Sequence, residues 1–149
     1  MRVYEAPREE IPALVVMAEA MHGEGDFAHL PFNTDKLAHN ALGWLKNPDY
    51  LILSASSNDE IIGMFVGHLT RYIFADAKMA HDIALYVKPE KRGSSAAVRL
   101  IDAYRLWAMG AGASEVCIGQ ATNVDTEKSR RFFERMGFHH VGGNFKERL

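Results

Sequence analysis

The stretch Asp82 to Ile118 constrains the chain most, because it reads as strand, turn, helix and strand in one run. Ile83-Ala84-Leu85-Tyr86-Val87 is an apolar strand-like segment, and Pro89 and Gly93 punctuate the turn after it. A helical pattern runs from about Ser94 to Met109, closed by Gly110 and Gly112, and Glu115 to Ile118 resumes a strand. The first N–H groups of such a helix lack intrahelical partners, and the helix dipole adds partial positive charge there. Ser94, Ser95, Ala96 and Ala97 are too short to obstruct those amides, while Lys88, Lys91 and Arg92 surround them with full charges. A pyrophosphate fits a site of this kind, and ordinary helix capping explains the serines equally well.

The residues of the turn carry a resemblance. Arg92-Gly93-Ser94-Ser95-Ala96-Ala97 resembles the acyl-coenzyme A signature of the GNAT acyltransferase superfamily: Gln or Arg, two residues, Gly, one residue, then Gly or Ala. Arg92 matches the first position and Ala97 the last, while Ser95 stands where the family usually has glycine. Downstream, Arg131 to Phe138 (RFFERMGF) resembles the family's helix-to-strand segment, often Leu-Tyr-Glu-Lys-Leu-Gly-Phe. The two matches stand in the expected order and separation. The resemblance implies a single α/β domain over residues 1–149, a GNAT-like strongly twisted mixed sheet with helices on both faces. It also implies acetyl-CoA as co-substrate and transfer of its acetyl group to a primary amine of a small molecule, protein or peptide. In that arrangement the pantetheine arm pairs like an extra strand with backbone around Leu85, Tyr86 and Val87, and the phosphates lie on Arg92 to Ala97.

Composition agrees with one globular domain: 149 residues, 48% hydrophobic and 24% charged. A net charge of -2 gives no global electrostatic case for nucleic acid. The single cysteine, Cys117, excludes an internal disulfide; its strand setting suggests burial, and a cytoplasmic location is the expectation. Acidic Glu5, Glu9 and Glu10 interrupt any signal peptide, and Ile11 to Met21 is far too short to span a membrane. The resemblance leaves a homodimer open.

In chain order, Arg2 to Glu5 reads as a first strand, and Glu9 to about Met21 as a helix, with Pro12 tolerable only in its first turn. His22 to Asn33 reads as loop, and Asn33 or Thr34 caps a second helix ended by Asn47-Pro48-Asp49. Tyr50 to Ala55 and Ile61 to Thr70 are strands joined by the turn Ser56-Ser57-Asn58-Asp59. A last helix is expected from Asp125 to Met136 with Gly137 as its terminator, then strands at Phe138 to Val141 and Asn144 to Arg148.

Acetyl transfer to an amine calls for a base, because such amines are mostly protonated at neutral pH. His81 is the leading candidate: in a regular strand it shares a face with Leu85 and Val87, and it stands where some relatives have a catalytic glutamate. Asp82 points to the other face unless an early bulge reverses the two, and Glu60 and His68 are further candidates. The family's usual acid is a tyrosine on the late helix, matched here by Phe133, which has no proton to give. A catalytically silent acyl-CoA-binding or interaction module is therefore the competing reading. Asn123 matches a position that often contacts the cofactor, and Ser129 and Phe133, in the helix beyond it, are further expected contacts of the acyl-CoA. The connection from His22 to Phe32 matches the family's acceptor region: Glu24 and Asp26 attract a cationic amine there, while Phe27 and Phe32 offer an apolar wall. No residue set has metal-ligand spacing.

Overall fold

The computed structural model describes residues 1–149. Strand β1 (Arg2–Glu5) and a 3₁₀ turn lead into helix α1 (Ile11–Glu24), followed by α2 (Thr34–Trp44). Strands β2 (Tyr50–Ser57), β3 (Glu60–Arg71) and β4 (Lys78–Val87) come next. A second 3₁₀ turn then precedes α3 (Ala96–Gly110), β5 (Glu115–Cys117) and α4 (Thr126–Arg135). No helix is long and apolar enough to cross a membrane.

The five strands form one mixed sheet in the order β1-β2-β3-β4-β5; all neighbours are antiparallel except β4 and β5. Helices cover both faces. Ile11, Leu14, Val15 and Met17 of α1 and Ala41 of α2 pack with Ile52, Met64, Val66, Ala84 and Tyr86 on one face. Leu100, Tyr104 and Ala108 of α3 pack with Leu51, Leu53, Phe65 and Ala80 on the other. This two-sided burial is why Leu51 to Ser56 and Ile62 to Leu69 read as nearly continuous apolar runs rather than alternating ones. The buried Ser54 hydroxyl is satisfied by Glu10 Oε2 at 2.5 Å.

Most expected elements form, with shifted ends. α1 begins at Ile11, so Pro12 does fall in its first turn, and the helix extends to Glu24 rather than Met21. Asn33 caps α2, its side chain accepting from Lys36 N at 2.9 Å. Gly137 ends α4 in the left-handed region, at φ 91°. Cys117 is only half-buried.

Two expectations need correction. The strands anticipated at Phe138–Val141 and Asn144–Arg148 are absent. The outer strand β5 pairs over only three residues, and Val141 and Phe145 find no cover, at 94% and 100% exposure. The tail is held instead by polar contacts: Lys146 and Arg148 pair with Asp26, and Asn144 Nδ2 donates to Gln120 O at 3.4 Å.

The second correction concerns which way β4 faces. Val66 pairs with Ala84 but Gly67 pairs with Asp82, so Ile83 is an extra residue, a β-bulge. The bulge reverses the alternation: His81 stacks with His68 on the α1/α2 side, whereas Leu85 and Val87 pack toward α3. A side chain at Gly67 would meet Phe65 Cε1 and Tyr104 Cε2 at 3.1 Å, so glycine allows the close packing at this bend.

Candidate active site

The sheet opens at Asp82. β5 pairs with β4 only at Met79, Ala80 and His81; from there to Val87 the β4 edge turned away from β3 has no strand partner. The Asp82 carboxylate sits in the mouth of this fork and accepts from Gly119 N–H at 2.8 Å. Desolvation raises its pKa above the ordinary carboxylate value, with the Gly119 hydrogen bond opposing.

At the far end of the open edge lies the loop that introduces α3. Gly93 takes φ +87°, a conformation that suits glycine. The amide of Ala96 donates to Ser94 Oγ at 3.3 Å, while those of Gly93, Ser95, Ala97 and Val98 find no acceptor in the chain. The loop therefore presents several free N–H groups at the N-terminus of a 15-residue helix. Of its three cations, Lys88 pairs with Glu60 at 2.7 Å and Arg92 with Glu24 at 2.6 Å; Lys91 makes no ion pair. Arg92 also donates to Val87 O at 3.0 Å and lies over the Tyr86 ring.

Behind the fork, on the α1/α2 side, Trp44, Tyr50, His68 and His81 stack in succession at 5.4 to 5.8 Å between ring centroids. The buried His68 Nδ1 has no hydrogen-bond partner. Burial, and secondarily the neighbouring His81, push the His68 pKa down, which keeps that ring neutral beside His81.

Two cavities meet this region. A polar cleft of about 1340 Å³ brings together His81, Asp82, Asn123, Phe133 and Asp26, with Lys146 of the tail at its rim. A smaller apolar pocket of about 250 Å³ lies between α1, α2 and the sheet. Phe27 and Phe32 line it, together with Met21, Trp44 and Ile83, which the sequence did not single out. The missed residues share no local motif. The wall between the cavities is pinned by contacts between residues far apart in the chain. Asp26 N donates to Thr122 O at 2.8 Å, and a side chain at Gly25 would lie 3.1 Å from Thr122 Cβ.

The other candidates separate from this centre. Glu60 sits at the start of β3, paired with Ser57, whereas His68 near the other end pairs with His81. The hydrogen bond from Lys88 lowers the Glu60 pKa and keeps that side chain an ionised carboxylate. Glu24 and Asp26 are both engaged: Glu24 accepts from Tyr86 and Arg92, and Asp26 pairs with the tail. Ser129 lies on α4 outside the cleft lining, while Phe133 stands in it against Phe132 and Phe138.

A family model described as Acetyltransferase (GNAT) family matches residues 17–138. No curated protein matches the sequence. Solved structures match over nearly the whole chain. A transcriptional regulator from Bacillus halodurans has a TM-score of 0.81 at 16% identity, with 99% of each chain covered. AAC(6')-Iy, solved with the bisubstrate analogue CoA-S-monomethyl-acetylneamine, has 0.80 at 13% identity, covering 99% of this chain and 97% of that one. The aminoglycoside 6'-N-acetyltransferase AAC(6')-IG from Acinetobacter haemolyticus has 0.77 at 17% identity, covering 100% and 99%. At these identities the likeness establishes the fold.

Proposed function

The chain belongs to the GNAT acetyltransferase family, and on that premise we propose that it transfers an acetyl group from acetyl-CoA to a primary amine of a small molecule, protein or peptide. One observation carries the reading: a strand edge left unpaired from Asp82 to Val87 runs toward a loop of free amides at the head of α3. The edge offers backbone groups to the pantetheine amides, and the loop offers N–H donors to the diphosphate. The thioester then comes to rest near the fork, beside His81 and Asp82. Asn123, in the cleft lining, faces the cofactor side, and the N–H groups of the open edge serve the oxyanion.

The amine nitrogen attacks the thioester carbonyl, an amide bond forms, and the carbon–sulfur bond breaks. His81, through water, takes the proton lost by the amine. It is preferred to Asp82 because the bulge turns His81 alone toward the α1/α2 side, where its imidazole nitrogens can accept a proton. Phe133 has no hydroxyl, so the departing coenzyme A thiolate, itself a tolerable leaving group with a thiol pKa of about 8.5, takes its proton from solvent. Phe133 also favours a second reading, a catalytically silent acyl-CoA-binding module.

Calorimetric titration with acetyl-CoA tests the shared part, and absence of saturable binding by folded protein would sink both readings. Multiple-turnover thiol release with an amine acceptor separates them: release excludes the silent module, and binding without release supports it.

A further inference from the structure

The apolar pocket beside the fork has a composition that the acetyl-transfer reading does not use. Its 18 lining residues include 15 hydrophobic ones; the rest are His22, Gly25 and Thr122, so no carboxylate and no formal cation enters the wall. At about 250 Å³ it exceeds the roughly 150 Å³ of a dry cavity that accepts benzene. It reaches β4 at Ile83 and Ala84, just past the last residue paired with β5. A group lodged in it therefore has one end at the fork.

The nearby carboxylates are already committed. Glu24 accepts from Tyr86 at 2.8 Å and from Arg92 at 2.6 Å. Asp26 pairs with Lys146 and Arg148, and those cations hold its carboxyl below the usual range. Asp82 is turned to the α3 side and bound to Gly119. A second or third ammonium on an acceptor would lose its hydration at this mouth and find no unpaired anion in return.

From the pocket's lining and the pairing of Glu24 and Asp26, we infer that the acceptor is a primary amine on an apolar body about the size of one aromatic ring. Polyamines and aminoglycosides are poor acceptors. The inference rests on the acetyl-transfer reading and names the acceptor class for that same site. The body of the amine occupies the pocket under Met21, Phe27 and Trp44, and its nitrogen emerges beside Ile83, within the reach of a water held by His81. Ala18, on α1, is part of the pocket wall.

The test uses the full chain with saturating acetyl-CoA. It compares kcat/KM, by thiol release and product mass, for phenethylamine, hexylamine, spermidine and an aminoglycoside. Phenethylamine is expected to exceed spermidine by about 10²-fold. Ala18→Leu, which narrows the pocket, is expected to raise the KM for phenethylamine about 10-fold and leave the Kd for acetyl-CoA unchanged. A thermal-shift comparison of phenethylamine and spermidine on wild type gives an answer that does not depend on the variant folding. Preference for the polycations, with acetyl-CoA bound, overturns the inference and leaves acetyl transfer standing. Preferred binding and turnover of octanoyl-CoA over acetyl-CoA overturns it differently, by assigning the pocket to the acyl chain. Absence of acetyl-CoA binding overturns the underlying reading and this inference with it.

Discussion

Arg92 and Glu24 meet at 2.6 Å and join the loop before α3 to the last residue of α1. Tyr86 donates to the same carboxylate at 2.8 Å, so a cation, a phenol and an anion from three elements close one end of the open edge. Both charged side chains are partly exposed, and the pair contributes little to stability. Its consequence is positional: it holds the Arg92 guanidinium over the Tyr86 ring at the Val87 end of the open edge.

Replacing Arg92 by alanine leaves Glu24 as an unpaired anion beside the proposed phosphate site. Acetyl-CoA binding is expected to weaken roughly 10-fold, while Glu24→Gln keeps affinity at or above the wild-type level. Calorimetry on both variants decides it. Equal losses in the two would show that the pair acts as a structural brace and not through charge.

Ser95 occupies the cap position of α3, exposed and making no capping hydrogen bond of its own. Aspartate there is a good cap and complements the dipole, so the ligand-free protein should be as stable or slightly more so. The same negative charge opposes a diphosphate. Ser95→Asp should therefore raise or maintain Tm while weakening acetyl-CoA about 10-fold or more. Unchanged affinity with an unchanged melting curve would place the phosphates elsewhere.

The Asp82 pKa is raised by burial, so the native protein holds this proton more tightly than the unfolded chain does. Its contribution to stability is full below the unfolded carboxyl pKa, about 4, and is lost as pH rises through the higher native value. The Asp82→Asn substitution keeps an acceptor for Gly119 and removes the ionisation. The variant should gain about 1 kcal/mol at pH 7, roughly 2–4 °C in Tm, with the gain shrinking toward pH 4. Melting curves of Asp82→Asn and wild type at both pH values check the sign. A gain that grows toward acid would contradict the burial argument.

Much of this fold is legible in the chain because its signals are local. The run of strand, turn and helix from Ile83 to Gly110 is set by apolar patterning and by Gly93, and the Asn33 cap and the Gly137 terminator each act within one turn. The bulge at Ile83 is not legible, since it depends on Gly67 pairing with Asp82 across two strands and on the packing of Phe65 against Tyr104. The pairing of Glu24 with Arg92 and of Asp26 with the tail escapes for the same reason: each joins residues far apart in sequence. The tail misleads in the other direction. Phe138 to Val141 has strand-like residues, but a strand needs an edge long enough to pair with, and β5 offers three residues.

The reversal of β4 gives the prediction for His81 its point. On the α1/α2 side, stacked against a His68 ring that burial keeps neutral, the imidazole lies on the same face of the sheet as the proposed acceptor pocket. His81→Ala should lower kcat by roughly 10²–10⁴-fold and leave the Kd for acetyl-CoA nearly unchanged, because the proposed cofactor contacts begin beyond Asp82. The pH profile gives an independent measure. A base must be unprotonated to accept the proton, so the acid limb of wild-type kcat/KM should vanish or move when the imidazole is removed. His81→Gln separates stacking from proton transfer: it keeps a planar polar side chain and lacks the base, so it should be as slow as the alanine variant. Recovery of activity in His81→Gln, or an acid limb unchanged in both variants, would remove His81 from the mechanism and leave Asp82 as the group to test.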